Sequence, residues 1–235
     1  TWRAGVRDGE RVIGAHASLE LRETWRGGVR VGARTVWRRG HLELDERRDR
    51  QGALDGPWTA YRSARHVREQ GAYDGGRRTG TWTEYDAAGN PTERGDYVRG
   101  LRDGVWTRWT KQAVTWTGRY RRGLPDGDFV TFDRTGKELG RDVLSRGTGV
   151  LRTFHASGKP ETETPMRRGL RHGLFRQLTA RGTLIASGRF VDGARDGLWW
   201  RTSGDARREA TYAGGVLDGP VRRTRGGAPA LDATY

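Results

Sequence analysis

Along this chain the apolar positions neither run together nor alternate evenly. They occur as single aromatic residues held at fixed distances from glycines. The stretch Gly95 to Trp109, GDYVRGLRDGVWTRW, carries the full pattern: glycine, one residue, aromatic, two residues, glycine, three residues, glycine, one residue, aromatic, two residues, aromatic. Its third glycine recurs as Gly9, Gly32, Gly56, Gly80, Gly104, Gly127, Gly149, Gly173, Gly197 and Gly219. This is a period of ~23 residues over about ten units, and a fixed period of that length marks an array in which each unit packs on its neighbours.

Turn chemistry predicts what each unit is. Asp precedes the third glycine at Asp8, Asp55, Asp103, Asp126, Asp196 and Asp218. Asp-Gly between aromatic or β-branched runs signals a tight hairpin turn, because both residues tolerate positive φ. Gly80, Gly104, Gly127, Gly173 and Gly197 are therefore expected to be structural turn residues. A second turn cluster about nine residues on, as in Asp86 to Asn90, returns the chain. The predicted fold is all-β, an elongated single-layer antiparallel meander of about ten β-hairpin repeats of ~23 residues, each hairpin too weak to stand alone.

The pattern is uneven along its length, which divides the chain into three parts. Residues 1–70 hold degenerate repeats and a candidate cap: Arg11 and Gly14, then Arg34 and Trp37, stand where the later aromatics belong, and Asp49 replaces a first aromatic. Between the first two units, Val12 to Glu23 contains ASLELRE, which reads as a short helix or an atypical capping unit. Residues 71–223 form the regular array, with an irregularity expected where Ser145 or Arg146 replaces a second glycine. The tail 224–235 ends LDATY, echoing EATY at Glu209 to Tyr212, as an eleventh unit cut off at its first aromatic would.

Composition narrows the class. The chain is 33% hydrophobic and 31% charged with 37 glycines, too polar for a thick core. Disorder, the other reading of such a chain, is opposed by 10 Trp, 7 Tyr and 5 Phe placed in register with the glycines. A net charge of +15 brings anionic partners into view, although no block of five or six like charges concentrates it. With no cysteine, disulfides and thiolate chemistry are excluded. No run of 18 apolar residues exists to make a spanning helix. Localisation leans to the cytoplasm and leaves export after signal removal open.

Catalytic constellations fail on spacing. His16, His41, His66, His155 and His172 form no pair at the separations that present two nitrogens to one metal. No nucleophile elbow, phosphate loop or dinucleotide fingerprint occurs. The expectation is a protein without catalysis, cofactor or metal. Two features remain as contact candidates. Arg78, Arg102, Arg171 and Arg195 sit two residues after the second glycine, on one turn per unit, and are expected to form a ladder pointing to solvent. Trp116 and Trp200 lie outside the repeat's aromatic positions and are candidates for partner contact.

The quoted units, Gly95 to Trp109 most clearly, resemble the bacterial variant of MORN repeats found in YwqK-family antitoxin-like proteins, over nearly the whole chain and most strongly from Gly71 to Gly219. The resemblance implies extended antiparallel sheets of hairpin repeats and a binding role, antitoxin-like in some members. The resulting expectation is a protein-binding scaffold whose aromatic and arginine face accepts a protein with an acidic surface. Peripheral binding to anionic membranes is the first alternative, opposed by the lack of an apolar wedge, and single-stranded nucleic-acid binding is the second.

Overall fold

The computed structural model describes residues 2–14, 19–63, 66–226 and 228–229. Among them the fold is all-β, antiparallel strands arranged in three sheets in which pairing runs mostly between sequence neighbours, without closure into a barrel. The chain divides into two compact units, Thr1–Val114 and Thr115–Tyr235, a division that falls inside the stretch read as one regular array.

In the first unit a small hairpin, Trp2–Arg3 with Val6–Arg7, precedes a meander that runs from Gly9–Ile13 to Leu101–Thr110 in sequence order. Among the described residues of Val12 to Glu23, read as a short helix or an atypical capping unit, there is no helix. Apart from Gly14, the described residues of that stretch belong to the strands Gly9–Ile13 and Leu19–Arg26, and the alternation that buries Leu21 and Glu23 but exposes Arg22 and Thr24 has period two. His16 and the rest of 15–18 lie outside the described residues.

The tight turns are not at Asp-Gly. They lie four residues earlier, at the second glycine, where Arg99 and Gly100 have φ of +52° and +82°. Two successive left-handed residues make the two-residue hairpin turn whose twist matches its strands, here joining Pro91–Val98 to Leu101–Thr110. Gly80, Gly104, Gly127, Gly173 and Gly197 lie within the following strands instead. Their positive φ is real, +80° at Gly104, but it serves a bulge. Arg94 pairs Thr107 and Asp96 pairs Asp103, so the single residue Gly95 is opposed by Gly104, Val105 and Trp106.

That bulge determines where the aromatic residue goes. The Trp106 ring folds back over Gly95, where a Cβ would lie 2.2 Å from its nearest ring atom. Gly71 under Trp82 and Gly188 under Trp199 repeat the arrangement. The indole N–H then donates to the carbonyl just beyond the first glycine, Ala72 for Trp82 at 3.1 Å and Asp96 for Trp106 at 3.3 Å. Trp82 and Trp106 are only 2% and 3% exposed. Tyr73 and Tyr97 meet them edge-on, at 5.1 Å and 5.0 Å between centroids, the offset geometry that aromatic quadrupoles favour. One ring ladder on one sheet face is thus the core of the regular repeats.

In the degenerate N-terminal repeats ion pairs take the same places. Glu23 occupies the first-glycine position, opposed by Gly32, Ala33 and Arg34 across an equivalent bulge. Arg11 and Arg34, which stand for ladder rings, contact Glu23 at 3.1 Å and 3.7 Å, and Arg34 and Arg48 contact Glu46 at 3.5 Å and 3.1 Å. A sequence Arg11, Glu23, Arg34, Glu46 therefore continues the spine that reads Trp58, Gly71, Trp82, Gly95, Trp106 farther on. Packing is less complete here, since Nε of Arg30 and of Arg34 is buried without a hydrogen-bond partner.

The second unit contains the expected irregularity. One sheet ends at Glu138–Leu144 and another begins at Gly149–Phe154. Between them pairing is reduced to the single bridge of Ser145 with Thr148, and the buried Asp142 carboxylate accepts from the Arg152 amide at 2.6 Å and from its guanidinium at 2.5 Å. The second sheet continues through Pro160–Arg167, Gly173–Leu178, Leu184–Val191, Ala194–Ser203, Ala206–Ala213 and Arg222–Arg225. Residues 230–235, and with them Tyr235 of the suggested eleventh unit, lie outside the described residues.

Candidate binding site

Moving the turn to the second glycine relocates the arginine ladder. Arg78, Arg102, Arg171 and Arg195 are strand residues whose guanidinium groups lie over rings, Arg78 and Arg102 half-buried and Arg171 and Arg195 exposed. The guanidinium carbon of Arg78 lies 3.9 Å from the Trp82 ring centroid, that of Arg102 3.8 Å from Trp106, that of Arg195 4.6 Å from Trp199 and that of Arg171 5.2 Å from Phe190. Carboxylates fix two of them further, Glu69 on Arg78 at 2.7 Å and Glu93 on Arg102 at 2.9 Å. For Arg78, burial works against the charge, but hydrogen bonds to Tyr73 and Tyr97 and the nearby Glu69 hold its pKa above the ordinary arginine value. The expectation of a solvated ridge is therefore corrected for Arg78 and Arg102, which are part of the lid of the aromatic core, whereas Arg171 and Arg195 cover rings and remain exposed.

The two tryptophans are also more engaged than their sequence positions suggest. Trp116 is half-buried, its ring 5.7 Å from Phe129 and against Gly118, so it belongs to the ladder. Trp200 is half-buried on the opposite face from Trp199, under the guanidinium of Arg207 at 4.4 Å.

Within the second unit the ladder face opens into a concavity of about 800 Å³. Its walls include Trp199, Tyr212 and Arg195, its floor Ala186 and Ala210, and its rim Arg201, Arg208 and Arg223. It forms where the ladder runs out: Ala210 stands at the first-glycine position, and Val221 stands where the next ring would be. Of the residues selected from the sequence, Arg195 lines this concavity, and Trp200 borders it only through the strand it shares with Trp199, since its own ring lies on the other face. Arg78 and Arg102 lie in the first unit, and Arg171 and Trp116 do not line it. Arg201, Arg208 and Arg223 were not selected, because they do not follow a second glycine; cross-strand register is what groups them.

The reverse face is unlike the expectation in another respect. Val98, Leu101 and Val105 of the first unit are about half exposed there, as are Leu170, Leu174 and Leu198 of the second, with Val216 72% exposed. An apolar strip therefore does exist near the turns, contrary to the reasoning that set membrane binding aside. Among the described residues no helix is long and apolar enough to cross a membrane.

Comparison with protein-family models gives no match, and comparison with curated proteins gives none either. The resemblance to MORN-type repeats thus rests on the repeat residues themselves.

Proposed function

We propose that this protein is a non-catalytic repeat scaffold that binds another protein through the concavity on the ladder face of its second unit, with an acidic partner surface as the complement. The observation that carries this reading is the lining itself: Trp, Tyr and Arg around a floor of small residues is the composition enriched at the energetic centres of protein interfaces. An antitoxin-like role, suggested by the repeat resemblance, is a special case in which the partner is a toxin. Base stacking finds little support, because Phe175 stacks on Trp199 at 5.6 Å and Arg195 covers it at 4.6 Å. The test is affinity capture from the source cells followed by reconstitution with the purified partner, using Trp199→Ala and Arg195→Ala alongside the parent. Binding should fall at least tenfold in both variants; capture of lipid or nuclease-sensitive material instead would sink the reading.

A second reading has its own observation. The exposed Val98, Leu101, Val105 strip and its counterpart at Leu170, Leu174 and Leu198, on a chain of net charge +15, fit peripheral attachment to an anionic membrane. Leu101→Ser and Leu198→Ser together should then abolish flotation with phosphatidylserine vesicles, while leaving protein capture intact.

A further inference from the structure

The concavity is unbalanced in charge. Arg201 stands directly opposite Arg208 in the neighbouring strand, and Arg208 directly opposite Arg223 in the next. All three are exposed, and among the described residues no ion pair is formed by any of them. The nearest carboxylates in sequence are engaged elsewhere, Glu209 by Arg207 at 2.7 Å and Asp205 by Arg225 at 3.3 Å. Like charges placed directly opposite destabilise a sheet, so the row costs stability unless something neutralises it.

The first unit contains the same row with opposite sign, which shows how the fold deals with such a cost. Two residues beyond the ladder ring, Glu84 stands between Glu69 and Glu93 in direct register, as Arg208 stands between Arg201 and Arg223. There the chain supplies its own counter-charges: Arg78 on Glu69 at 2.7 Å, and Arg102 and Arg108 on Glu93 at 2.9 Å and 2.8 Å. In the second unit the corresponding ladder residue, Arg195, has the same sign as the row and is held by the Tyr212 hydroxyl at 3.2 Å.

We infer that Arg201, Arg208 and Arg223 bind a run of carboxylates on an acidic segment of the partner; the inference rests on the protein-binding reading and specifies its ligand chemistry. Adjacent strands lie ~4.8 Å apart, so the row spans roughly 10 Å. Acidic residues recur every ~6–7 Å along one side of an extended segment, or at about 5–6 Å on a helix, and long arginine stems accommodate either. Paired guanidinium and carboxylate groups form strong charge-assisted bonds, and Arg presents a fork that matches the carboxylate. The ligand is therefore a polypeptide stretch carrying at least three Asp or Glu within a few residues.

The test uses the full chain and a fluorescent ten-residue oligoglutamate peptide at physiological ionic strength, read by anisotropy. Two variants of equal charge change are compared: Arg201→Gln/Arg208→Gln in the row, and Arg189→Gln/Arg222→Gln on the opposite face of the same sheet. Saturable binding that weakens at least tenfold in the first and less than threefold in the second is the expected result. Equal weakening in both would overturn the inference in favour of net charge alone. Tighter, row-dependent binding of a ten-residue oligothymidylate or of anionic vesicles would overturn it in favour of phosphate. Failure of the peptide to bind at all also overturns it, while the scaffold reading then stands or falls separately on the captured partner.

Discussion

A methyl group added at Gly95 would lie 2.2 Å from the Trp106 ring, whereas one added at Gly104 would meet nothing within 4 Å. The two glycines of one repeat are thus held by different constraints, space in the first case and a φ of +80° in the second. Gly95→Ala should destabilise by about 1–3 kcal/mol through overpacking and red-shift the tryptophan emission as the ring lifts. Gly104→Val should cost a similar ~1–3 kcal/mol without that spectral change, and Gly104→Asn should cost less, since Asn tolerates the left-handed region. Urea denaturation with emission spectra separates them; a red shift in Gly104→Val would contradict the assignment. At Glu23, burial pushes the pKa up, but the Trp25 indole N–H and the Arg11 guanidinium outweigh it, leaving the net value below the ordinary carboxylate range. A depressed folded pKa contributes stability that is complete above the unfolded value and is lost as pH falls through the folded one. Acidification from neutral pH should therefore lower the melting temperature of the parent more than that of Glu23→Gln, and equal slopes would show that Glu23 does not contribute.

Within the hairpin, ring-over-glycine and arginine-over-glutamate act as interchangeable ways of filling one bulge, and this can be tested by exchange. Arg34→Trp alone sets an indole against the buried carboxylates of Glu23 and Glu46, 3% and 5% exposed, and should cost about 1–3 kcal/mol. Adding Glu23→Gly and Glu46→Gly removes both carboxylates and restores the space seen at Gly71 and Gly95. The triple variant should recover part of the loss, a coupling of about 0.5–3 kcal/mol by denaturant titration, and strict additivity would refute the equivalence. The same elements explain what the sequence could and could not convey. Strand content, period and the irregularity near Ser145 were legible because glycine and aromatic spacing is local. The turn was misplaced because Gly104 and the Arg99-Gly100 pair both hold left-handed backbone, and Arg99 carries no turn signal of its own. Once the turn moves, Arg102 passes from an exposed loop to the ring face. ASLELRE looked helical because Glu23 and Arg22 are good helix formers, yet Glu23 is buried by arginines distant in sequence. The Arg201, Arg208, Arg223 row depends on the register between three strands, which no single-strand pattern reveals.

For the molecule as a whole, a net charge of +15 opposes compaction while much of the arginine is consumed in covering rings and pairing carboxylates. Added salt should screen that self-repulsion and raise the melting temperature, most strongly where charges are unpaired. If the second unit holds an anion site, sulfate should stabilise the parent more than chloride at equal ionic strength, beyond its general exclusion from protein surfaces. The general part persists in Arg201→Gln/Arg208→Gln, so the variant isolates the site-specific part: its excess gain from sulfate should fall to that of a protein without the site. In low salt the same variant should melt no earlier than the parent, because it loses like-charge repulsion across the strands and no ion pair. For a chain of this length about 1 kcal/mol corresponds to roughly 2–4 °C, so a structural role for the two arginines would appear as a drop of several degrees. Calorimetry in matched sulfate and chloride therefore distinguishes a row kept for an external anion, stabilised by ligand and indifferent or improved on removal, from one that supports the sheet.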